Sequence, residues 1–139
     1  MKQIFLAAIL AAGVAFGPAQ PLAADPPSDG IQATISSQID AFRAGDMAGA
    51  FDFASQGIRQ IFGNSETFGG MVERGYAMVI DPVELRYGDL RSEAAGPVQR
   101  VLVRDAGGVW HALDYLMVEE DGAWRIGGVE IVTAPPVGA

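Results

Sequence analysis

The side chains able to do chemistry gather late in the chain. His111, Asp114 and Tyr115 share one stretch, with Arg74, Tyr76 and Gln99 ahead of them. His111 and Tyr115 are an even number of residues apart, so on a strand they share a face, and Asp114 points to the other. Were that shared face to line a cavity, the imidazole and the phenol could polarise a carbonyl or pass a proton near neutral pH. The plainer alternative makes His111 a satisfied or exposed residue beside a turn and Tyr115 a core residue with its hydroxyl at the rim. The sequence favours that alternative, because His111 and Asp114, the natural acid–base pair, fall on opposite faces. Glu73 and Arg74, near a helix end, read as a surface pair.

Other chemistries lack their residues. No phosphate loop, dinucleotide fingerprint, HExxH or nucleophile elbow occurs. The chain holds one histidine and no cysteine, which removes His-rich and thiolate metal sites, disulfides and a lipid-modified cysteine. Met47, Met71, Met78 and Met117 read as core filler rather than metal ligands. No metal and no cofactor is expected. The formal charge is −8, and the only lysine is Lys2. Such a balance opposes binding to nucleic-acid phosphates or anionic lipid; acidity here speaks to solubility.

The elements that would position these residues follow from periodicity. Residues 1–24 read as a signal peptide: Lys2, an apolar run Ile4–Phe16, then GPAQPLAAD. Cleavage is expected after Ala24, otherwise after Ala19. The run is short for a permanent span of about 20 residues, although a retained anchor is the rival reading. A periplasmic or secreted protein with no membrane attachment after cleavage follows. Residues 25–30 are expected as a linker, 31–133 as a single domain and 134–139 as a flexible tail.

Within the domain, Asp29 is placed to cap a helix with Gln32 as its reciprocal partner. Ile31, Ile35, Ile39 and Phe42 then form one apolar stripe that stops at Gly45. Asp46 caps a second helix with Met47, Ala50 and Phe51 inward. Ser55 opens a third with Ile58, Ile61 and Phe62 on one side, stopped by Gly63. Ser65 opens a fourth with Phe68, Met71 and Val72 inward, ending near Gly75. After Asp81-Pro82 the period becomes two. Strands are expected from Val83 to Tyr87, then, across a turn-rich gap at 88–97, from Val98 to Arg104, Val109 to Glu119 and Trp124 to Val132. Helices followed by a meander argue an α+β fold, with N-terminal helices packed on a curved, mainly four-stranded antiparallel sheet.

Aromatic and methionine side chains with few polar groups suit a mostly apolar pocket between helices and sheet. The expected lining is Phe42, Phe62, Phe68, Met71, Tyr76, Gln99, His111 and Tyr115. A small apolar ligand is the first expectation. The second is a homodimer or docking module using the opposite sheet face, where Trp110, Ala112, Asp114, Leu116 and Val118 align. A small isomerase or dehydratase using His111, Asp114 and a tyrosine is the third.

Three runs also carry a resemblance: QIDAFRAGDMAGAFDFAS at Gln38–Ser55, IRQIFG at Ile58–Gly63 and FGGMVERGY at Phe68–Tyr76. The later QRVLVRDAGGVWHALDYLM and GAWRIGGVEI, between Gln99 and Ile131, extend it. Over residues 31–132 the chain resembles a family of short exported bacterial proteins carrying a domain of unknown function. The resemblance implies a nuclear-transport-factor-2-like (cystatin-like) fold, a cone of helices over a bent sheet. That superfamily includes ketosteroid isomerase and scytalone dehydratase, and also non-catalytic binding and dimerisation modules. It brings no catalytic residues to carry over.

Overall fold

The computed structural model describes residues 27–133. The expected signal peptide with both cleavage sites, and the expected tail, lie outside the described residues. Four helices precede four strands: α1 (Pro27–Arg43), α2 (Met47–Asp52), α3 (Gln56–Phe62), α4 (Ser65–Gly75), a 3₁₀ turn at Ala77–Val79, then β1 (Glu84–Glu93), β2 (Gly96–Arg104), β3 (Trp110–Glu120) and β4 (Ala123–Val132). The strands form one antiparallel sheet in chain order. Among the described residues the helices lie on one face and leave the other open, the α+β architecture expected. No described helix is long and apolar enough to cross a membrane.

Helix α1 is driven by its stripe. Ile31, Ile35 and Ile39 are fully buried and Phe42 nearly so, each isoleucine gaining roughly 1.5–3 kcal/mol over exposure. The helix starts earlier than its stripe, and this corrects the expected linker at 25–30 over its described part, residues 27–30. Pro27 occupies the first helical position, where a fixed φ and a missing N–H cost nothing. Asp29 therefore stands inside the first turn rather than capping it. Gly30 is helical too, and Trp124 of β4 packs where a Cβ would be, with Cδ1 only 2.8 Å away, so a larger residue would be crowded there. Thr34 Oγ1 donates to the Trp124 carbonyl at 3.2 Å, and the Tyr87 hydroxyl donates to the Gln32 carbonyl at 3.0 Å. These bonds tie α1 to both edges of the sheet.

The three short helices depend on their caps. Asp46 accepts from Gly49 N and Ser55 from Ile58 N, as expected. Helix α4 is capped by Asn64, whose extended backbone lets Oδ1 accept from Thr67 N at 2.8 Å. Ser65, expected as the cap, is already helical. Ile61, expected inward, is 74 % exposed. In a two-turn helix Ile58 and Phe62 complete one inward line at i, i+4, and Ile61 sits about 100° round from Phe62.

The sheet differs from its periodicity in one place. Residues 88–97, expected as a turn-rich gap, are mostly strand. β1 continues past Tyr87 through a bulge before Leu90, and the turn to β2 is confined to Ala94-Ala95. The bulge inserts a residue out of phase and so hides the alternation. Val83 lies just ahead of β1 and is exposed. On the inner face Val101, Val103, Leu113, Tyr115, Met117 and Ile126 meet the helices. Met47, Met71 and Met78 pack against that core and Met117 is inside it, as expected of filler. The β4 edge is partly covered, since Ser55 N donates to Ile126 O at 2.8 Å and Ile126 N to Phe53 O at 2.9 Å. One backbone ladder thus extends onto the α2–α3 connection.

Candidate functional site

Between the helices and the inner sheet face lies a cavity of about 420 Å³, within the range of small-molecule sites. Helix α1 supplies Gln38 and Phe42, α3 supplies Ile58 and Phe62, and α4 supplies Phe68 and Met71. The sheet closes it with Tyr115, Ile126 and Val129. Phe68 holds the wall together. Its ring lies 6.2 Å from Phe42 (stacked), 5.2 Å from Phe51 (tilted) and 5.9 Å from Phe62 (edge-on), measured between centroids.

Polar atoms at this surface are few. The Tyr76 hydroxyl donates to the Val129 carbonyl at 3.2 Å, which bridges the end of α4 to β4. Gln38 Nε2 donates to the Ala50 carbonyl at 3.0 Å, fixing which end of its amide faces away. Tyr115 is 1 % exposed, and burial pushes its hydroxyl well above the ordinary phenol range. It stays a neutral donor at any physiological pH.

Of the eight expected lining residues, Phe42, Phe62, Phe68, Met71, Tyr76 and Tyr115 do line the cavity, whereas Gln99 and His111 do not. Gln99 pairs with Tyr115 across the β2–β3 ladder and with Leu90 across β1–β2. Its Nε2 donates to the carbonyls of Gly88 (2.9 Å), Asp89 (3.3 Å) and Arg100 (2.9 Å). It serves the β1 bulge, giving a partner to carbonyls that the broken ladder leaves free. His111 stands at the hairpin end of β3, its Nε2 2.9 Å from Asp105 Oδ2. Asp105 also accepts from Gly107 N and Val109 N, and His111 is the first cause of its lowered carboxyl pKa, so this group organises the β2–β3 turn. Glu73 and Arg74 are exposed.

Asp114 is on the outer face, as parity requires. It accepts from Arg100 Nε at 2.5 Å and Arg91 Nη2 at 3.2 Å, and its side chain is 12 % exposed. Arg100 chiefly, with Arg91, holds its carboxyl below the ordinary aspartate value of 3.8. A depressed folded pKa gives stability that is complete above the unfolded value and lost as pH falls through the folded one. Thermal melts should therefore fall as pH drops below about 4, and Asp114→Asn should flatten that part of the profile. An unchanged slope would remove Asp114 as its source.

Gln38 is the lining residue that periodicity passes over. It lies three residues after Ile35 and four before Phe42, so it sits in the α1 stripe. A polar residue on an otherwise apolar buried face was the available signal.

Residues 24–139 match the family described as Domain of unknown function (DUF4864). No curated protein matches. Among solved structures, the chain is similar to the 1.8 Å structure of Aln2 from a Streptomyces species, at 13 % identity and a TM-score of 0.46, with 78 % of this chain and 92 % of that one covered.

Proposed function

The chain belongs to the DUF4864 family, and on that premise we propose that it is an exported, non-catalytic module that holds a small apolar ligand between its helices and the inner face of its sheet. The observation that carries this reading is the cavity itself: about 420 Å³ of space walled by Phe42, Phe62, Phe68, Met71 and Ile126 between the helices and the sheet. Its lining is almost wholly apolar, so a resident apolar ligand would take that surface out of water. The isomerase or dehydratase alternative needs a base beside the Tyr115 hydroxyl. Its candidates are held elsewhere, His111 by Asp105 and Asp114 by Arg100 and Arg91.

A second reading draws on the outer face. Leu102, Ala112, Leu116 and Val118 are half-buried there and Trp110 is 42 % exposed, a surface that a second copy could cover. The same face carries charge. Arg86 and Arg104 stand 5.0 Å and 5.8 Å from the Trp110 ring centroid, and Arg100, Arg91 and Asp114 lie at its centre. These groups would need partners of their own in any interface.

Native mass spectrometry of the full chain expressed in a Gram-negative host and recovered from the periplasm tests both. The ligand-binding reading expects a monomer trimmed at Ala24 that carries a small-molecule adduct. A bare polypeptide whose melting temperature also ignores added naphthalene would end that reading. A mass of twice the trimmed chain would install the dimer in its place.

A further inference from the structure

Two polar atoms on buried residues of the cavity wall have no partner among the described residues, and together they narrow what the cavity takes. Gln38 is 4 % exposed and Tyr115 1 %. The Gln38 amide is locked, because the Ala50 carbonyl can only accept and therefore holds the Nε2 end. Nothing among the described residues donates a hydrogen bond to its Oε1, and the Tyr115 hydroxyl makes none. Among the described residues Gln99 Oε1 is the one side-chain polar atom that is both fully enclosed and unpartnered. Gln38 Oε1 and the Tyr115 hydroxyl must then keep some accessible surface, and both residues border the cavity. An unpaired polar atom on a nine-tenths-buried residue of a cavity wall asks for its partner from whatever enters.

Their chemistries differ in a useful way. Gln38 Oε1 is an acceptor alone and needs a donor. The Tyr115 hydroxyl donates or accepts. A ligand carbonyl could serve Tyr115 but would leave Gln38 facing a second acceptor. A carboxylate would do the same and would lose its hydration in a wall to which the described residues contribute no Lys, Arg or His. A hydroxyl answers either atom. Resting on the ligand-binding reading above, we propose that the cavity selects an uncharged, largely apolar molecule that carries a hydroxyl group, with Gln38 Oε1 and the Tyr115 hydroxyl as its polar contacts.

The test compares 2-naphthol, naphthalene and 2-naphthoate by calorimetric titration into the mature chain, wild type and Tyr115→Phe. Because the hydroxyl has no protein partner, Tyr115→Phe should keep the wild-type melting temperature or exceed it slightly. Wild type should rank 2-naphthol first and 2-naphthoate last. The variant should weaken 2-naphthol by about threefold to tenfold, the worth of one net hydrogen bond, and leave naphthalene unchanged. Gln38→Met should also weaken 2-naphthol selectively, with circular dichroism confirming that it folds. Naphthalene and 2-naphthol weakened alike, or 2-naphthol unaffected by either variant, would overturn the polar selection and leave the cavity as a binding site. Failure of all three probes on wild type would overturn the ligand-binding reading itself.

Discussion

Replacing Phe68 with alanine should cost about 3–4 kcal/mol and lower the melting temperature by roughly 15–25 °C. The ring is 6 % exposed, so the transfer loss is that of a fully buried phenylalanine. It also ends three aromatic contacts at once, with Phe42, Phe51 and Phe62, each worth about 0.5–1.5 kcal/mol beyond area. One effect works the other way. Phe68 borders a cavity already present, so part of its surface has no packing to lose, and the cost stays in the lower half of the range for Phe→Ala. Against a domain stability of about 5–15 kcal/mol, the variant should still fold but melt early. Phe68→Leu should lose about a third as much. Ile61→Ala, on the exposed side of α3, should change almost nothing. Urea denaturation of the three variants checks the order, and a Phe68→Ala loss no larger than that of Ile61→Ala would refute the aromatic wall as a structural element.

What was legible in advance follows from where a pattern repeats. The α1 stripe repeats over three turns, and its four apolar positions are all buried. The strand alternation in β2 and β3 places Val101, Val103, Leu113 and Tyr115 inward without exception. Patterns that break locally were not legible. The β1 bulge shifts the phase between Tyr87 and Leu90, so a strand of ten residues reads as a short strand and a loop. Pro27 looks like linker until the helix it starts is seen. Asn64 and Ser65 are both good caps, and only backbone conformation separates them.

The site divides along the same line. Apolar lining residues inherit their inward direction from the helix stripes, so Phe42, Phe62, Phe68 and Met71 were reachable. Gln99 and His111 have the right parity on their strands, but parity gives the face and not the position along it. Gln99 Nε2 is drawn to the bulge and His111 to the turn, by the Gly88 carbonyl and the Asp105 carboxylate. Both partners are fixed by tertiary geometry that spacing does not encode. Gln38 shows the converse: its place in the stripe was readable, whereas its hydrogen bond to Ala50, which turns Oε1 away from α2, was not.

The substitution Gly96→Val should be at least as damaging as the loss of Phe68, and for a reason that no amount of side-chain repacking can relieve. Gly96 follows the Ala94-Ala95 turn and opens β2 with φ at +143°. That region is strained for any residue bearing a Cβ, at about 1–3 kcal/mol. A Cβ there would also stand 2.7 Å from the Met117 carbonyl oxygen, far inside contact distance. The obstacle is backbone in the middle of the sheet. Met117 is fully buried and paired with Ile126 of β4, so it can withdraw only by disturbing the β3–β4 ladder at its own bulge. Gly96→Ala meets the same oxygen and should already lose about 3 kcal/mol; Gly96→Val adds branching and should yield little folded protein. Gly45→Ala is the matched control. It too has positive φ, at +73°, but nothing lies within 4 Å of its Cβ. It should therefore show conformational strain alone, about 1 kcal/mol. Equal melting temperatures for Gly45→Ala and Gly96→Ala would mean that the close approach of β2 to the Met117 carbonyl does not govern how the first hairpin seats on the sheet.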